Sequence, residues 1–411
     1  MQKINHPAGV IPGGVCAPKG FRAGGLHSGI AKSPDKKDLA LIVSDTICSA
    51  SAVYTKNVVR AAPLEVTRRH LHNGTAQAVV CNSGNANACA AGGEETAAET
   101  CKLAAAALGI LADDVAVAST GVIGVPLSVE PFRANLPKLA ESLSYDGSDD
   151  CAAAIMTTDL LKKEIAVEFN LGGKTCRIGA VAKGSGMIHP NMGTMLGFIT
   201  TDVSITSDML GPMLLSAVED TFNMVSVDGD TSTNDMVVVL ANGMAGNVQI
   251  SGKSEDYQTF AKALGEVCTY LARMIAKDGE GATKLLECAV SGDVDEDTAR
   301  LLAKSVISSS LFKAAMFGAD ANWGRVLCAM GYSGAEFDPD VVSVSFESEA
   351  GELHVCKSGK GIPFSEDKAK EVLSVPEVRI NISIGAGSCR AVAWGCDLTY
   401  DYVKINGDYR S

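Results

Sequence analysis

The alternation of apolar and polar positions predicts helices and short strands that follow one another in mixed order. Apolar residues recur at helical spacing in Glu94–Gly109, Pro126–Leu143, Ser207–Phe222, Tyr257–Lys277 and Asp297–Phe317. Short apolar runs predict strands at Leu39–Val43, Ala78–Cys81, Val115–Ser119, Ile165–Phe169, Met236–Leu240 and Val341–Phe346. Val378–Ile384 and Ala391–Trp394 alternate like the two arms of a hairpin. This mixed order favours an α+β fold of packed layers over a doubly wound parallel sheet.

Composition and charge narrow the class of protein. The chain has 411 residues, of which 48 are acidic and 35 are basic, so its formal net charge is −13. This balance argues against a nucleic-acid partner, because nucleic-acid backbones are bound by clustered Lys and Arg. No apolar run approaches the roughly 18 residues of a membrane span, and the N-terminal stretch lacks the apolar core of an export signal. We therefore expect a soluble cytoplasmic protein.

The cysteines and histidines predict neither a disulfide framework nor a metal site. The thirteen Cys residues are scattered along the chain and no two stand in a C-x-x-C spacing. The six His residues show no spacing typical of metal ligands. We expect most of the cysteines to be small buried side chains, and we expect no bound metal.

One segment, Lys183–Asp202 (KGSGMIHPNMGTMLGFITTD), departs from ordinary core or surface composition. In it Gly193 stands directly before Thr194, just ahead of an apolar strand-like run. Because Gly lacks a Cβ, its carbonyl can come close to the Thr194 hydroxyl, which could attack that carbonyl and shift the acyl group from N to O. Water would then release a chain whose terminal amine can activate the hydroxyl of Thr194. The plain alternative is that Gly-Thr simply begins a strand.

This segment and seven others resemble the ornithine acetyltransferase family, also called glutamate N-acetyltransferase, in the same order along the chain. The other matching stretches are Asn82–Cys89 (NSGNANAC), Ser119–Gly124 (STGVIG), Ala154–Asp159 (AIMTTD), Ser226–Asp235 (SVDGDTSTND), Ala276–Lys284 (AKDGEGATK), Phe317–Arg325 (FGADANWGR) and Tyr402–Ser411 (YVKINGDYRS). The resemblance implies a layered α-β-β-α core over residues 1–284, as in self-cleaving aminopeptidases. It also implies a smaller C-terminal α/β domain over residues 285–411, whose last residues return to the active site.

The same resemblance implies roles for individual residues. The Gly193–Thr194 bond cuts itself to give chains 1–193 and 194–411, and Thr194 becomes the nucleophile. Thr120 and Gly121 match the oxyanion hole of the family. The matching substrate-binding residues are Thr157, Lys183, Thr194, Glu280, Asn406 and Ser411. Glu280 could pair with a substrate amine or assist proton transfer, and the sequence leaves both roles open. The family usually has Ala where this chain has Gly193, although related self-cleaving aminopeptidases have Gly before a Ser there.

The resemblance further implies the reaction. The acetyl group would move from N-acetylornithine to glutamate through an acetyl-Thr194 ester, as a step of arginine biosynthesis. No metal or other cofactor is implied, and acetyl-CoA as a second acetyl donor stays open. The implied assembly contains two alpha and two beta chains. One alternative is a self-activated N-terminal-nucleophile amidase or aminopeptidase that passes the acyl group to water, and another is a scaffold that keeps the fold without cleavage.

Overall fold

The computed structural model describes residues 7–189 and 195–408. Gly193, Thr194 and Ser411 lie outside these residues. The strands are β1 (Val10–Ile11), β2 (Phe21–Leu26), β3 (Leu39–Tyr54), β4 (Thr75–Asn82), β5 (Val115–Ser119), β6 (Lys163–Leu171), β7 (Lys174–Lys183), β8 (Leu196–Thr201), β9 (Val225–Ser226), β10 (Met236–Ala241), β11 (Leu285–Gly292), β12 (Val342–Ser348), β13 (Gly351–Lys357), β14 (Lys360–Gly361), β15 (Glu377–Ile384) and β16 (Cys389–Cys396). The helices are α1 (Ala62–His70), α2 (Gly93–Leu108), α3 (Glu130–Ser142), α4 (Ser148–Ile155), α5 (Ser207–Glu219), α6 (Glu255–Lys277), α7 (Glu296–Ser308), α8 (Ser310–Phe317), α9 (Trp323–Gly331), α10 (Glu366–Leu373) and α11 (Tyr400–Asp408).

The larger sheet runs in the order β1-β6-β7-β8-β10-β3-β4-β5, and β2 pairs with β3 beside this path. Its central strands β8 and β10 are parallel, with Leu196 opposite Met236, whereas β7 and β3 flank them antiparallel. Every residue of β8 and β10 is buried. A strand that is covered on both faces has apolar residues at nearly every position, which explains why Met236–Leu240 is so uniformly apolar.

The two faces of this sheet are covered by different elements. Ile199 and Val239 pack with Phe260 of α6 in one core cluster, which also takes in α5. Phe198 and Val238 point to the opposite face and pack with residues of α4 and β2. The helices α2 and α3 cover the β3–β5 end of the sheet. Alternate residues of a single strand therefore serve two cores, as the period of two in a strand requires.

The second sheet has the order β14-β13-β12-β15-β11-β16-β9. On β15, buried Ile380 and Ile382 alternate with partly exposed Arg379 and Asn381. The helix α7 packs closely on β16 and β11, and α6 reaches the same two strands from the larger sheet. Both sheets mix parallel and antiparallel pairs and both carry helices, so the predicted α+β class is confirmed.

Most predicted elements are present, and two predictions are wrong. The stretch Asp297–Phe317 is not one helix, because Ser309 leaves the helical conformation and its hydroxyl accepts the Phe312 N–H to begin α8. The strands β15 and β16 do not form a hairpin, because β11 lies between them, parallel to β15 and antiparallel to β16. The domain division after residue 284 stays a prediction.

The cysteine prediction is confirmed. All thirteen are free thiols, and only Cys89, Cys328 and Cys389 are not buried. No helix in the described part of the chain is long and apolar enough to cross a membrane.

Candidate functional site

Six of the predicted site residues line one pocket of about 140 Å³. They come from segments far apart in the sequence and are Thr120, Gly121, Thr157, Lys183, Glu280 and Asn406. The remaining predicted residues, Gly193, Thr194 and Ser411, lie outside the described residues. The fold therefore brings together every predicted site residue that the structure describes.

The end of β5 supplies Thr120 and Gly121. The Thr120 N–H donates to the Asn82 carbonyl at 3.0 Å, and the Asn82 side chain accepts the Ser119 hydroxyl at 2.7 Å. Gly121 has a φ of 132°, and a Cβ there would overlap the backbone at Gly84. Only Gly meets both demands, so the turn after β5 is fixed against the loop after β4.

Lys183 ends β7 and reaches across to Thr120. Its ammonium donates to the Thr120 hydroxyl oxygen at 3.0 Å, although the Lys183 residue is only 9% exposed. A hydroxyl that accepts a hydrogen bond keeps its own hydrogen for another acceptor. The contact therefore places the Thr120 hydroxyl donor and the positive charge of Lys183 side by side in the pocket.

The other wall of the pocket carries Glu280 and Asn406. Glu280 follows α6, is 9% exposed, and accepts a 2.7 Å hydrogen bond from the Asn406 side chain. Its N–H donates to the Ser185 carbonyl at 3.1 Å, and Gly186 packs so closely on its carboxyl group that a Cβ would not fit. The helix α11, which carries Asn406, is anchored where the Thr399 hydroxyl donates to the Gly281 carbonyl at 2.7 Å. The pocket thus holds an anionic and a cationic side chain.

A buried ion triad behind the pocket connects its walls. The Lys163 ammonium lies 2.7 Å from an Asp159 carboxylate oxygen and 2.6 Å from one of Asp278, and its side chain is 0% exposed. Asp159 also accepts the N–H groups of Thr157 at 3.0 Å and Gly184 at 2.7 Å. Burial alone would raise the pKa of Asp159, but the ammonium groups of Lys163 and then Lys183 outweigh it and lower that pKa.

Sequence reasoning missed this triad, although Asp159 and Asp278 lie in the quoted motifs. It also missed Lys36, whose ammonium donates to the Thr157 carbonyl at 2.8 Å. Lys163 opens a strand, where a single lysine is typical of a solvated position. Its contact with Asp278, 115 residues away in the sequence, is what distinguishes Lys163 from a solvated lysine.

The segment that leads to Pro190 is held by polar contacts. Asp228 accepts the N–H groups of Met187 at 2.6 Å and Ile188 at 2.8 Å. The His189 ring contacts the Ser226 hydroxyl at 3.0 Å. Burial, with a smaller contribution from Lys304, lowers the pKa of His189 to about 4, so its imidazole is neutral at pH 7.

This pocket can bind a polar ligand through the charged groups of Lys183 and Glu280. The Thr120 hydroxyl lies beside them as a hydrogen-bond donor that could stabilise an anion. Among residues 7–189 and 195–408, no group of three or more His, Cys, Asp or Glu side chains is placed to hold a metal ion. A carboxylate, an ammonium and a hydroxyl donor in so small a space suit a ligand the size of an amino acid.

Comparisons with known proteins agree on one family. The arginine biosynthesis bifunctional protein ArgJ of Symbiobacterium thermophilum is 52% identical over 403 residues, 98% of this chain and 99% of its own. A crystal structure of the protein of that name from Bacillus halodurans is 44% identical and covers 53% of this chain and 100% of its own, with a TM-score of 0.50. The ornithine acetyltransferase of Mycobacterium tuberculosis, solved with ornithine, is 36% identical and covers 45% of this chain and 98% of its own, with a TM-score of 0.41. The model of the ArgJ family matches residues 22–411, and the chain belongs to that family.

Proposed function

We propose that this protein transfers the acetyl group of N-acetylornithine to glutamate, as a step of arginine biosynthesis. The observation that carries the proposal is the single pocket in which Thr120, Gly121, Lys183 and Glu280 meet. The relatives named arginine biosynthesis bifunctional protein support the pathway. Their description as bifunctional also supports acetyl-CoA as a second acetyl donor.

In the proposed mechanism Thr194 is the nucleophile. Its hydroxyl oxygen attacks the amide carbonyl of N-acetylornithine while its own α-amine, with an ordinary pKa of about 7.7–8.0, accepts the proton. The C–N bond breaks, the proton passes to the departing ornithine amine, and an acetyl ester of Thr194 remains. The amine of glutamate then attacks this ester, the C–O bond breaks, and a proton returns to the Thr194 oxygen.

The pocket residues have distinct roles in this proposal. The Thr120 hydroxyl and the Gly121 N–H donate to the oxyanion of each tetrahedral intermediate, and losing one such donor costs about 3 kcal/mol of transition-state stabilisation. Lys183 holds an amino-acid carboxylate by a charge-assisted hydrogen bond. Glu280, fixed by Asn406, receives the ammonium group of the substrate.

We further propose that the chain cuts itself between Gly193 and Thr194, which exposes the nucleophile. The Bacillus halodurans chain is covered in full by 53% of this chain, and the part of this chain from Thr194 onward is also about 53% of its length. That agreement supports a mature enzyme made of two pieces. The resemblance supports an assembly of two alpha and two beta chains, with Ser411 as a further substrate contact.

Mass spectrometry of the intact protein tests the proposal. Incubation with N-acetylornithine should add one acetyl group, about 42 Da, to a chain that begins at Thr194, and glutamate should remove it. The Thr194→Ala variant should stay a single chain without the adduct, whereas Thr194→Ser, which keeps a hydroxyl, serves as the matched control. Full activity of Thr194→Ala would refute the assignment. Release of acetate instead of acetylglutamate would indicate a hydrolase, and an uncut, inactive chain would indicate a scaffold.

A further inference from the structure

The two amino acids of the proposed reaction carry side chains of opposite charge. N-acetylornithine has one carboxylate and a side-chain ammonium. Glutamate has a second carboxylate instead, whose oxygens are as many bonds from the α-carbon as that ammonium nitrogen. In both compounds the α-nitrogen must lie at the carbonyl carbon of the acetyl group, because its bond to that carbon breaks in one and forms in the other. The pocket must therefore hold two ligands whose α-nitrogens coincide and whose side chains differ in charge.

The charged side chains of the catalytic pocket complement only one of these two ligands. Among the described residues, its lining contains one cation, Lys183, and one anion, Glu280. With the common α-carboxylate on Lys183, Glu280 can receive the ammonium group of ornithine. The γ-carboxylate of glutamate cannot take the same place, because like charges repel each other strongly where little water screens them. Glutamate therefore needs a second cation beside the pocket.

Lys36 is a cation in that place. It lines a second cavity, of about 480 Å³, which shares Gly121, Thr157 and Thr158 with the catalytic pocket. Its ammonium donates to the Thr157 carbonyl at 2.8 Å, so it lies where the two cavities meet. This carbonyl takes one of the three N–H groups of the ammonium, and the described residues supply no second hydrogen-bond acceptor to it. The other N–H groups of Lys36 can therefore bind a ligand.

The surroundings of Lys36 favour an anionic ligand. Burial lowers the pKa of its ammonium; the carboxylate of Asp159 opposes this effect, and the ammonium of Lys183 adds to it. Asp159 is already held by the Lys163 ammonium at 2.7 Å, so its charge is shared. None of the described residues that line the second cavity is Asp or Glu. A carboxylate that reaches Lys36 would therefore stabilise a partly desolvated cation and meet no anion in the cavity wall.

We propose that Lys36 binds the γ-carboxylate of glutamate and so selects the acetyl acceptor. The inference rests on the proposed function, because it assigns a residue to the second half of that reaction. The α-carboxylate lies on Lys183 with either amino acid; the side chain of glutamate turns toward Lys36, and that of ornithine turns toward Glu280. Lys36 takes no part in the bonds that change. The glutamate amine attacks the acetyl ester of Thr194, the C–O bond breaks, and a proton returns to the Thr194 oxygen.

Three substitutions test this role of Lys36. Lys36→Gln removes the positive charge but keeps a side-chain N–H that can donate to the Thr157 carbonyl. Lys36→Arg keeps the charge and is the conservative variant. Lys37→Gln is the matched control, because Lys37 pairs with Asp150 at the surface and lines neither cavity.

The assay separates the two halves of the reaction. Intact-mass spectrometry after rapid mixing with N-acetylornithine measures how fast the acetyl adduct forms, and addition of glutamate measures how fast the adduct is lost. Lys36→Gln should raise the KM for glutamate about 10–100-fold, the effect of one lost hydrogen bond between charged groups, and leave the rate of adduct formation within about twofold. Its preference for glutamate over glutamine should fall as well, because glutamine lacks the γ-charge. Lys36→Arg should retain most of that preference, and Lys37→Gln should match the wild type.

Exchange of the acetyl group between N-acetylornithine and labelled ornithine provides a second readout, since neither compound has a γ-carboxylate. This exchange should run at the wild-type rate in Lys36→Gln. Equal losses in exchange and in glutamate acetylation would overturn the inference, because a residue that only supports Thr157 would affect both. An unchanged preference for glutamate over glutamine would also overturn it and leave the proposed function standing. A wild-type protein that forms no adduct, or no acetylglutamate, would refute the proposed function and the inference together.

Discussion

Replacing Lys163 by Met should destabilise the protein by about 3–5 kcal/mol. This is the usual cost of removing one partner of a buried ion pair, because the other charge stays buried without compensation. The Lys163 side chain is 0% exposed, and the carboxylates of Asp159 and Asp278 are 2.7 and 2.6 Å from its ammonium. Their side chains are 0% and 4% exposed, so water cannot replace the lost cation. Because total stabilities are about 5–15 kcal/mol, this loss is a large fraction of the whole.

The loss of stability in Lys163→Met should depend on pH, because the charge of Asp159 depends on pH. The pKa of Asp159 is lowered in the folded wild type, so its stabilising contribution is present above the unfolded pKa of about 3.9 and is lost as the pH falls through the lower folded value. Without Lys163, burial would dominate and raise that pKa. The variant would then be penalised most near pH 7, and the penalty would shrink as the carboxyl group takes up a proton toward pH 4.

Urea unfolding followed by circular dichroism at pH 7 and at pH 4.5 measures both effects. The Thr194→Ala background keeps one uncut chain, so that the unfolding does not depend on how two pieces reassociate. Lys162→Met is the matched control, because Lys162 pairs with Asp149 at the surface, where such pairs are worth about 0–1 kcal/mol. A loss below about 1 kcal/mol in Lys163→Met, or an equal loss at both pH values, would refute the reasoning.

Two further predictions concern the turn after β5. Thr120→Ala should lower kcat about 10²–10³-fold in steady-state acetylation of glutamate, because one oxyanion donor is lost, while Thr120→Ser should retain most of the activity. An unchanged kcat in Thr120→Ala would remove Thr120 from the oxyanion hole. Gly121→Ala should lower the free energy of unfolding by at least about 1 kcal/mol, since its φ of 132° and the contact with Gly84 exclude a Cβ. Thermal unfolding checks this, and a Tm equal to that of the wild type would contradict it.

Local patterns predicted the elements well where a segment is strongly periodic. The prediction Glu94–Gly109 differs from α2 by one residue at each end, and Tyr257–Lys277 ends where α6 ends. The break at Ser309 was not predicted, because the apolar period continues across it. A good N-cap residue inside a periodic stretch is a signal that could have located this break.

Local sequence patterns do not predict which strands pair with each other. The alternation in Val378–Ile384 predicts a strand but not its neighbour, and β11 takes the place that a hairpin partner would have had. The site shows the same limit, since Thr120, Lys183 and Glu280 become neighbours only through the two sheets and α6. Their joint placement was implied by the family resemblance and not by their spacing along the chain.

The strand order of the larger sheet fixes when the proposed cleavage can occur. Residues 1–193 carry β7 and β3, yet β8 and β10 from the other product lie between these two strands. At about 4.8 Å per strand, the first product alone would leave a gap of roughly 14 Å with an unpaired edge on each side. Neither product can complete the sheet by itself, so folding must precede cutting. The two products should afterwards stay interleaved, and should aggregate when they are synthesised as separate polypeptides.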